Sequence, residues 1–146
     1  MKYLIHKRFT FEAGHQLRRG CFTAACSDCI HGHSYKVEVT VEASRLDENS
    51  MVVDFGLVKL ATEQVRTIFD HALLLPTGIA EKFSGSPHLR KVVTTRYNPT
   101  AEAIAEAIFE LVGARLAHEL GDRQHEVRVV AVRVWETENG SAEVRV

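Results

Sequence analysis

Hydrophobic and polar residues alternate along two stretches near the start of the chain, which is typical of β-strands with one buried face. In the first stretch the odd-numbered positions are mostly apolar, with Lys7 as the exception, and they end in a histidine: Tyr3, Ile5, Phe9, Phe11, Ala13 and His15. In the second stretch, one face consists of His31, His33, Tyr35, Val37, Val39 and Val41. We expect the two strands to pair as a hairpin, with the cysteine-bearing segment between them as its loop.

Two longer stretches have apolar residues at helical spacing. The first is predicted to begin after Asp54, whose carboxylate can cap a helix N-terminus, and to run to about Phe69. Its buried stripe is predicted to be Leu57, Leu60, Ala61, Val65, Ile68 and Phe69. The second helix is predicted to begin at Asn98-Pro99 and to end at Gly121. The segment between the helices is interrupted by prolines and glycines and is predicted to be mostly loop.

Two further strands, residues 126–137 and 141–146, flank an Asn139-Gly140 turn, which is a strong hairpin signal. The order of elements predicts a single α+β domain over residues 1–146. Its sheet is predicted to be four-stranded and antiparallel, with two helices inserted between strands 2 and 3. Because such a sheet exposes its edge strands, we also expect a homo-oligomer.

The composition argues against several classes of partner. The chain has 146 residues and a net charge of −1 at pH 7, without the basic excess that favours nucleic acid or anionic membranes. No apolar run approaches the roughly 20 residues of a membrane helix, and the N-terminal stretch alternates instead of forming a signal-peptide core. Three cysteines are an odd count that suits a reducing compartment. We therefore expect a cytoplasmic protein with no nucleic-acid or membrane partner.

Histidines occupy the strand ends in a pattern that predicts a metal site. His31 and His33 lie two residues apart, so their imidazoles point to one face, with Cα atoms about 6–7 Å apart. His15 has the inward parity of its own strand, and a hairpin would bring it to the same end of the sheet. Three neutral imidazoles with a vacant fourth position are typical of catalytic zinc. The spacing also fits a closed structural site made of Cys26, Cys29, His31 and His33, and both alternatives stay open.

Acidic residues supply two further candidates. Asp70 and His71 are adjacent after the first helix, where a carboxylate can orient or charge an imidazole. Glu136 shares the parity of the apolar residues of the third strand, and a carboxylate on an apolar face needs a partner. It is predicted either to meet a basic group or to bind the N–H groups of a ligand.

Six segments, in order along nearly the whole chain, resemble one known family: FTFEAGH, HGHSYKVEV, MVVDFGLVK, FDH, NPTAEAIAEAIF and VWETENG. They resemble the 6-pyruvoyl-tetrahydropterin synthase family, including its bacterial branch, the 6-carboxy-5,6,7,8-tetrahydropterin synthases of queuosine biosynthesis. The resemblance implies the tunnelling fold (T-fold), in which subunits pool their sheets into a barrel. The usual assembly in this family is a hexamer made of two trimers, with active sites at subunit interfaces.

The resemblance also implies roles for individual residues. His15, His31 and His33 would be the ligands of a zinc ion. Asp70 and His71 would belong to the proton-transfer machinery, facing a cysteine of a neighbouring subunit.

The implied substrate is 7,8-dihydroneopterin triphosphate. Glu136 would anchor its pterin ring, because a carboxylate can accept both hydrogen bonds of the fork formed by the ring N–H and the amino group. Thr100 and Glu102, near the start of the second helix, match positions that line or support the pterin pocket. The HGHSY spelling and the short loop before it look more like the branch that forms the 6-carboxy product. The alternatives are the 6-pyruvoyl product from the same substrate and a non-catalytic zinc-binding oligomer.

The catalytic cysteine is where the sequence departs from the family pattern. Bacterial members commonly place it four residues before HGH, where this chain has Ser27. Cys26 lies five residues before HGH and Cys29 two residues before. We favour Cys26 as the base, because Cys29 shares the strand parity of His31 and could bind the metal. Cys21 is expected to be a packed loop residue.

Overall fold

A computed structural model describes residues 1–20 and 24–146, together with all their side chains except that of Cys26. In this part of the chain a sheet has the strand order β4-β3-β1-β2-β5-β6. Its strands are β1 (Tyr3–His15), β2 (His31–Ala43), β3 (Ala72–Pro76), β4 (Val92–Thr95), β5 (Val127–Thr137) and β6 (Gly140–Arg145). The helices are α1 (Ala24–Asp28), α2 (Phe55–Phe69) and α3 (Ala101–Leu120), with 3-10 turns at Ala80–Phe83 and Gly121–His125.

The β1–β2 hairpin is the longest pairing and is antiparallel, as the alternation predicts. Its register runs without a break from Tyr3 opposite Ala43 to His15 opposite His31. The face that alternation marks as apolar is the buried one, and it becomes more deeply buried toward the histidine end of β1. This pairing therefore delivers both histidine-bearing strand ends to one place.

Two helices cover the buried face of the sheet. Asp54 accepts a hydrogen bond from the backbone N–H of Gly56 and caps α2, which confirms its predicted role. Helix α3 ends at Gly121, as predicted, and Gly121 has a positive φ of 55°. The buried side chains of both helices pack with β1, β2 and β5 in one core. Leu60 departs from the predicted stripe and is 43% exposed, since Val58 faces the core in its place.

The predicted fold class is confirmed, but the predicted strand count was wrong. The sheet is mixed and has six strands among the described residues, because the segment predicted to be mostly loop contributes β3 and β4. Strand β3 lies parallel to β1, and β4 lies parallel to β3. All five residues of β3 are buried, so it lacks the polar alternation that reveals a half-exposed strand. Helix α1 likewise lies in the segment predicted to be a loop.

The second face of the sheet is polar, and the sheet has open edges. Arg8 bonds Glu38 across the β1–β2 pair, and Arg133 bonds Glu143 across the β5–β6 pair, at 2.6 and 2.7 Å. Strand β1 pairs with β3 only over residues 13–15, and the Glu12 backbone bonds Asp70 and His71. Residues 3–11 of β1 therefore have no described strand partner on that side. None of the described helices has the length and apolar character required to span a bilayer.

Substitutions in α2 test which face is buried. We expect Val58→Ala to lower the free energy of unfolding by about 2 kcal/mol, because Val58 is fully buried. Leu60→Ala is the matched control and should change it by less than about 0.5 kcal/mol. Urea unfolding followed by circular dichroism measures both. Equal losses in the two variants would mean that α2 is rotated relative to the sheet.

Candidate metal centre

Three imidazoles converge where β1 ends and β2 begins. His15 lies directly opposite His31, and His33 is two residues further along β2 on the same face. One ring nitrogen of each lies within 4.8 Å of the others. His15 is 2% exposed, whereas His31 and His33 are half-buried. The cluster therefore lies at the boundary between the core and solvent, where a ligand can reach one side of it.

Backbone carbonyls determine which nitrogens face the centre. The Nδ1 of His15 lies 2.8 Å from the carbonyl oxygen of Pro99, and the Nδ1 of His31 lies 3.2 Å from that of Cys29. A carbonyl oxygen only accepts hydrogen bonds, so each Nδ1 carries the proton and donates it. In the neutral rings both Nε2 atoms are then bare acceptors. Carbonyl contacts of this kind are typical of the outer shell of a metal-binding histidine.

The bare nitrogens require a positive charge between them. The Nε2 atoms of His15 and His31 lie 2.8 Å apart, and two lone pairs at that distance repel unless they share a proton or a cation. The Nε2 of His33 is buried and has no hydrogen-bond partner among the described residues. Unpaired buried acceptors are unfavourable in a folded protein. These observations fit a divalent metal ion of the kind that neutral imidazoles bind, such as zinc.

Burial favours the neutral form of two of the three histidines, His15 and His33. Desolvation lowers the pKa of His15 below its usual 6.5, although the Pro99 carbonyl and the Glu136 carboxylate oppose this effect. Desolvation also lowers the pKa of His33. Only a neutral imidazole can donate a lone pair to a metal. The site is therefore prepared for a metal at neutral pH without first having to lose protons.

Glu136 lies beside the cluster. Its Oε1 is 3.5 Å from Nε2 of His15 and 3.8 Å from Nε2 of His33, and its side chain is partly exposed. The β5–β6 register shifts between Trp135 and Thr137, so Glu136 lies at an irregularity in the strand. Parity alone placed a carboxylate on an apolar face, and the structure adds that this carboxylate lies next to His15 and His33.

Tyr35 lies against His15 and was not singled out by the sequence analysis. The Tyr35 side chain is fully buried and stacks on Phe11, with ring centroids 4.9 Å apart. Its hydroxyl lies 3.3 Å from Nδ1 of His15. Burial raises the pKa of Tyr35, so the phenol remains a neutral O–H donor. Its parity with His31 and His33 was the available signal, because a buried tyrosine hydroxyl needs a partner.

Asp70 and His71 form a pair that is held by β1. The Asp70 Oδ1 accepts the backbone N–H of Glu12 at 2.9 Å, and its Oδ2 lies 3.1 Å from Nδ1 of His71. The N–H of Glu12, followed by His71, lowers the pKa of the Asp70 carboxyl. His71 has a φ of 58°, and its side chain is 79% exposed. The backbone of β1 therefore holds the Asp70 carboxylate in place, and the His71 imidazole is exposed to solvent.

Thr100 and Glu102 lie at the start of α3. The Thr100 hydroxyl accepts the N–H of Ala103 at 3.4 Å and caps the helix. Glu102 is exposed and lines a surface cleft with Thr100 and Tyr97, and the described lining of this cleft includes none of the three histidines. The structure thus connects this segment to the cluster through the carbonyl of Pro99, the residue before Thr100.

The cysteines are only partly described. The backbone of Cys26 belongs to α1, but its side chain lies outside the description, as does all of Cys21. Cys29 is exposed and is not part of the converging group among the described side chains. The expectation that it points at the metal is therefore not met. Ser27, at the position of the family cysteine, is buried, and its carbonyl accepts a hydrogen bond from Gln16.

Comparisons with known proteins identify the family of the chain. The family profile described as 6-pyruvoyl tetrahydropterin synthase matches residues 4–146. A 6-carboxy-5,6,7,8-tetrahydropterin synthase of Aquifex aeolicus is 34% identical over 166 positions, covering 99% of both chains. A Helicobacter pylori protein of that name is 33% identical, covering 96% of this chain and 71% of its own. One from Rickettsia bellii is 41% identical, covering 68% of this chain and 72% of its own.

Solved structures share the fold. An uncharacterized protein from Wolinella succinogenes has a TM-score of 0.80 and 24% identity, covering 99% of this chain and 98% of its own. The 6-pyruvoyl tetrahydropterin synthase of Plasmodium vivax has a TM-score of 0.75 and 16% identity, covering 100% and 98%. These neighbours identify the α+β fold as the T-fold.

Zinc binding tests the three-histidine centre. We expect zinc-loaded protein to retain about one ion per chain after gel filtration, as measured by mass spectrometry of the metal. His33→Ala should lose the ion because it removes a ligand, and Cys29→Ser should retain it because Cys29 lies outside the cluster. Loss of zinc from Cys29→Ser would favour the closed site that includes cysteine.

Proposed function

Because the chain belongs to the 6-pyruvoyl tetrahydropterin synthase family, we propose that it is a zinc-dependent 6-carboxy-5,6,7,8-tetrahydropterin synthase. Its substrate is 7,8-dihydroneopterin triphosphate, and it acts in the cytoplasm in queuosine biosynthesis. Relatives at 33–41% identity carry the same enzyme name, which supports this assignment. The observation that carries it is the cluster of three imidazoles with a carboxylate beside it.

The three histidines are the residues that would hold the metal. His15, His31 and His33 would be its ligands, with His15 and His31 oriented by the carbonyls of Pro99 and Cys29. A zinc ion bound there supplies Lewis acidity to the side-chain oxygens of the substrate. The buried position of His15 limits the access of water and strengthens electrostatic interactions at the centre.

Glu136 orients the substrate. Its carboxylate accepts hydrogen bonds from the ring N–H and the amino group of the pterin. The two parallel donors of the pterin match the two acceptor oxygens of the carboxylate. Its position beside the histidines would then set the pterin side chain over the metal. Thr100 and Glu102 support the pocket from the start of α3, with Thr100 acting through the helix end that it caps.

Proton transfer falls to Cys26, Asp70 and His71. The Cys26 thiolate removes a proton from the substrate side chain, and His71 holds the thiol proton. Asp70 fixes the Nδ1 side of His71 through a 3.1 Å contact from its Oδ2. Cys29 is the alternative thiol. The exposure of His71 suits a thiol that comes from a neighbouring subunit.

The assembly we propose is a hexamer formed as a dimer of trimers. Residues 3–11 of β1 lack a described strand partner on one side, and β6 is the opposite edge of the sheet. Pairing of these edges between copies would satisfy their free N–H and C=O groups. The alternation of charge on the polar face is compatible with a hydrated interior of such a barrel.

Product analysis tests the function. Incubation with 7,8-dihydroneopterin triphosphate should yield 6-carboxytetrahydropterin, identified by mass spectrometry. A 6-pyruvoyl product would assign the alternative activity of the family, and no product from zinc-loaded protein would favour a non-catalytic zinc-binding oligomer.

Substitution of the thiols tests the base. We expect Cys26→Ala to keep its zinc and to lose about 1000-fold in kcat, because a general base is removed. Cys29→Ala is the matched control and should keep most activity. If Cys29→Ala is the inactive variant, Cys29 is the base instead of Cys26. The zinc content of both variants shows whether a loss of activity reflects catalysis or metal binding.

Complementation tests whether sites are shared between subunits. Cys26→Ala and His71→Ala should each be inactive alone. After joint refolding in equal amounts, about a quarter of the sites should combine an intact thiol from one copy with an intact imidazole from the next. Recovery of turnover near that level supports a shared site. If no turnover is recovered, the thiol and the imidazole of each site belong to the same chain.

A further inference from the structure

The turn between α2 and β3 carries the Asp70–His71 pair in a backbone conformation that histidine disfavours. Asp70 has a φ of −66° and a ψ of 129°, and His71 has a φ of 58°. These angles match the central residues of a type II turn, whose second central residue is usually glycine or asparagine. Rotation of the peptide between the two residues by half a turn would give a type I turn, which accepts most residue types. The residues themselves therefore favour the opposite orientation of this peptide.

Two hydrogen bonds hold the peptide in the orientation observed. Its N–H, which belongs to His71, donates to the backbone oxygen of Glu12 in β1 at 2.6 Å. Its carbonyl oxygen, which belongs to Asp70, accepts a hydrogen bond from Nζ of Lys91 at 2.5 Å. The N–H and C=O of a trans peptide point in opposite directions, so rotation by half a turn would break both bonds. The peptide is therefore held on one side by β1 and on the other by a lysine side chain.

Lys91 reaches this carbonyl from a position that its own backbone fixes. It directly precedes β4, and its backbone oxygen accepts the N–H of Leu73 in β3 at 2.9 Å. Its side chain is half-buried, and hydrogen bonds from a charged donor are stronger than those between neutral groups. The β3–β4 pair, which the alternation of residues did not reveal, thus brings a fixed cation to the Asp70–His71 turn.

We propose that Lys91 is a positioning residue for proton transfer, because its ammonium group holds the Asp70–His71 peptide and with it the direction of the His71 imidazole. Without this bond, only the Glu12 oxygen opposes the rotated peptide that the turn favours. Rotation would turn the Cα of His71 and move its ring relative to the Asp70 carboxylate, which β1 holds separately. The catalytic part of this inference rests on the proposed function, whereas the hold on the peptide rests on the contacts alone.

The His71 amide can be observed selectively, because the sequence contains no other Asp-His step. Labelling with carbonyl-¹³C aspartate and ¹⁵N histidine isolates its NMR signal. We expect Lys91→Met, which keeps the aliphatic stem and removes the donor, to speed hydrogen exchange at this amide about tenfold, in the range for loss of a hydrogen bond to a charged group. Lys82→Met is the matched control, since it removes an exposed lysine of the same segment, and it should leave the exchange rate unchanged.

The amides of the other histidines serve as the internal control for this measurement. Faster exchange confined to His71 supports the proposal. An unchanged rate at His71 in Lys91→Met overturns it, and so does an equal acceleration at all histidine amides, because that would reflect general loosening of the fold.

Kinetics test the catalytic part. On zinc-loaded enzyme we expect Lys91→Met to lower kcat about tenfold and to change KM less than about twofold, because His71 moves a proton and does not bind the pterin. Lys91→Arg keeps a charged donor and should recover most of the loss. In the His71→Ala background, Lys91→Met should cause no further loss, since its effect acts through the imidazole. A loss of equal size in that background, or a rise in KM at constant kcat, overturns the positioning of His71 for catalysis.

Failure of the proposed function gives a different pattern. If zinc-loaded wild-type protein forms no pterin product, the catalytic part falls with that function, and exchange at His71 still decides whether Lys91 holds the peptide. If the wild type is active and Lys91→Met changes neither exchange at His71 nor kcat, the inference alone is overturned.

Discussion

The register of the β1–β2 hairpin is the constraint on which the candidate site depends. It sets His15 directly opposite His31, with His33 two residues further on the same face. A slip of one residue would turn the β2 histidines away from His15, because side chains alternate between the two faces. The same slip would expose the apolar residues that build the core. Hydrophobic burial along thirteen residues of each strand therefore fixes the position of a few polar atoms at the end.

This arrangement of histidine nitrogens is unfavourable unless a cation binds between them. Carbonyl oxygens fix the protons of His15 and His31 on Nδ1, so that bare Nε2 atoms face each other, and the buried Nε2 of His33 has no hydrogen-bond partner among the described residues. Local rules of polar satisfaction are broken here, as is common at functional sites. A cation that bound only the folded chain would remove the repulsion and stabilise the fold. Metal binding at this cluster would then be coupled to folding.

The sequence predicts the parts of this arrangement that follow from periodicity. Alternation locates both long strands and their histidines, and capping by Asp54 locates α2. Periodicity does not reveal β3, because a short strand that is buried on both faces has no alternation of apolar and polar residues. Its parallel pairing with β1 also joins residues that are far apart in the chain. Parity also finds the isolated carboxylate of Glu136. Parity could not show which side chains lie next to Glu136, because these contacts depend on the register shift of β5 and on packing around Tyr35.

The two halves of the candidate site differ in how complete they are within one chain. The histidine cluster is formed by side chains of one chain, whereas His71 adopts a left-handed backbone and leaves its imidazole exposed. A strained conformation of this kind persists where its surroundings hold it, and here the Glu12 backbone bonds both the His71 N–H and the Asp70 carboxylate. Glu12 adjoins residues 3–11 of β1, which have no described strand partner on that side. The edge open to a second copy is therefore next to the imidazole that needs a reacting partner, so assembly and catalysis would be linked through β1.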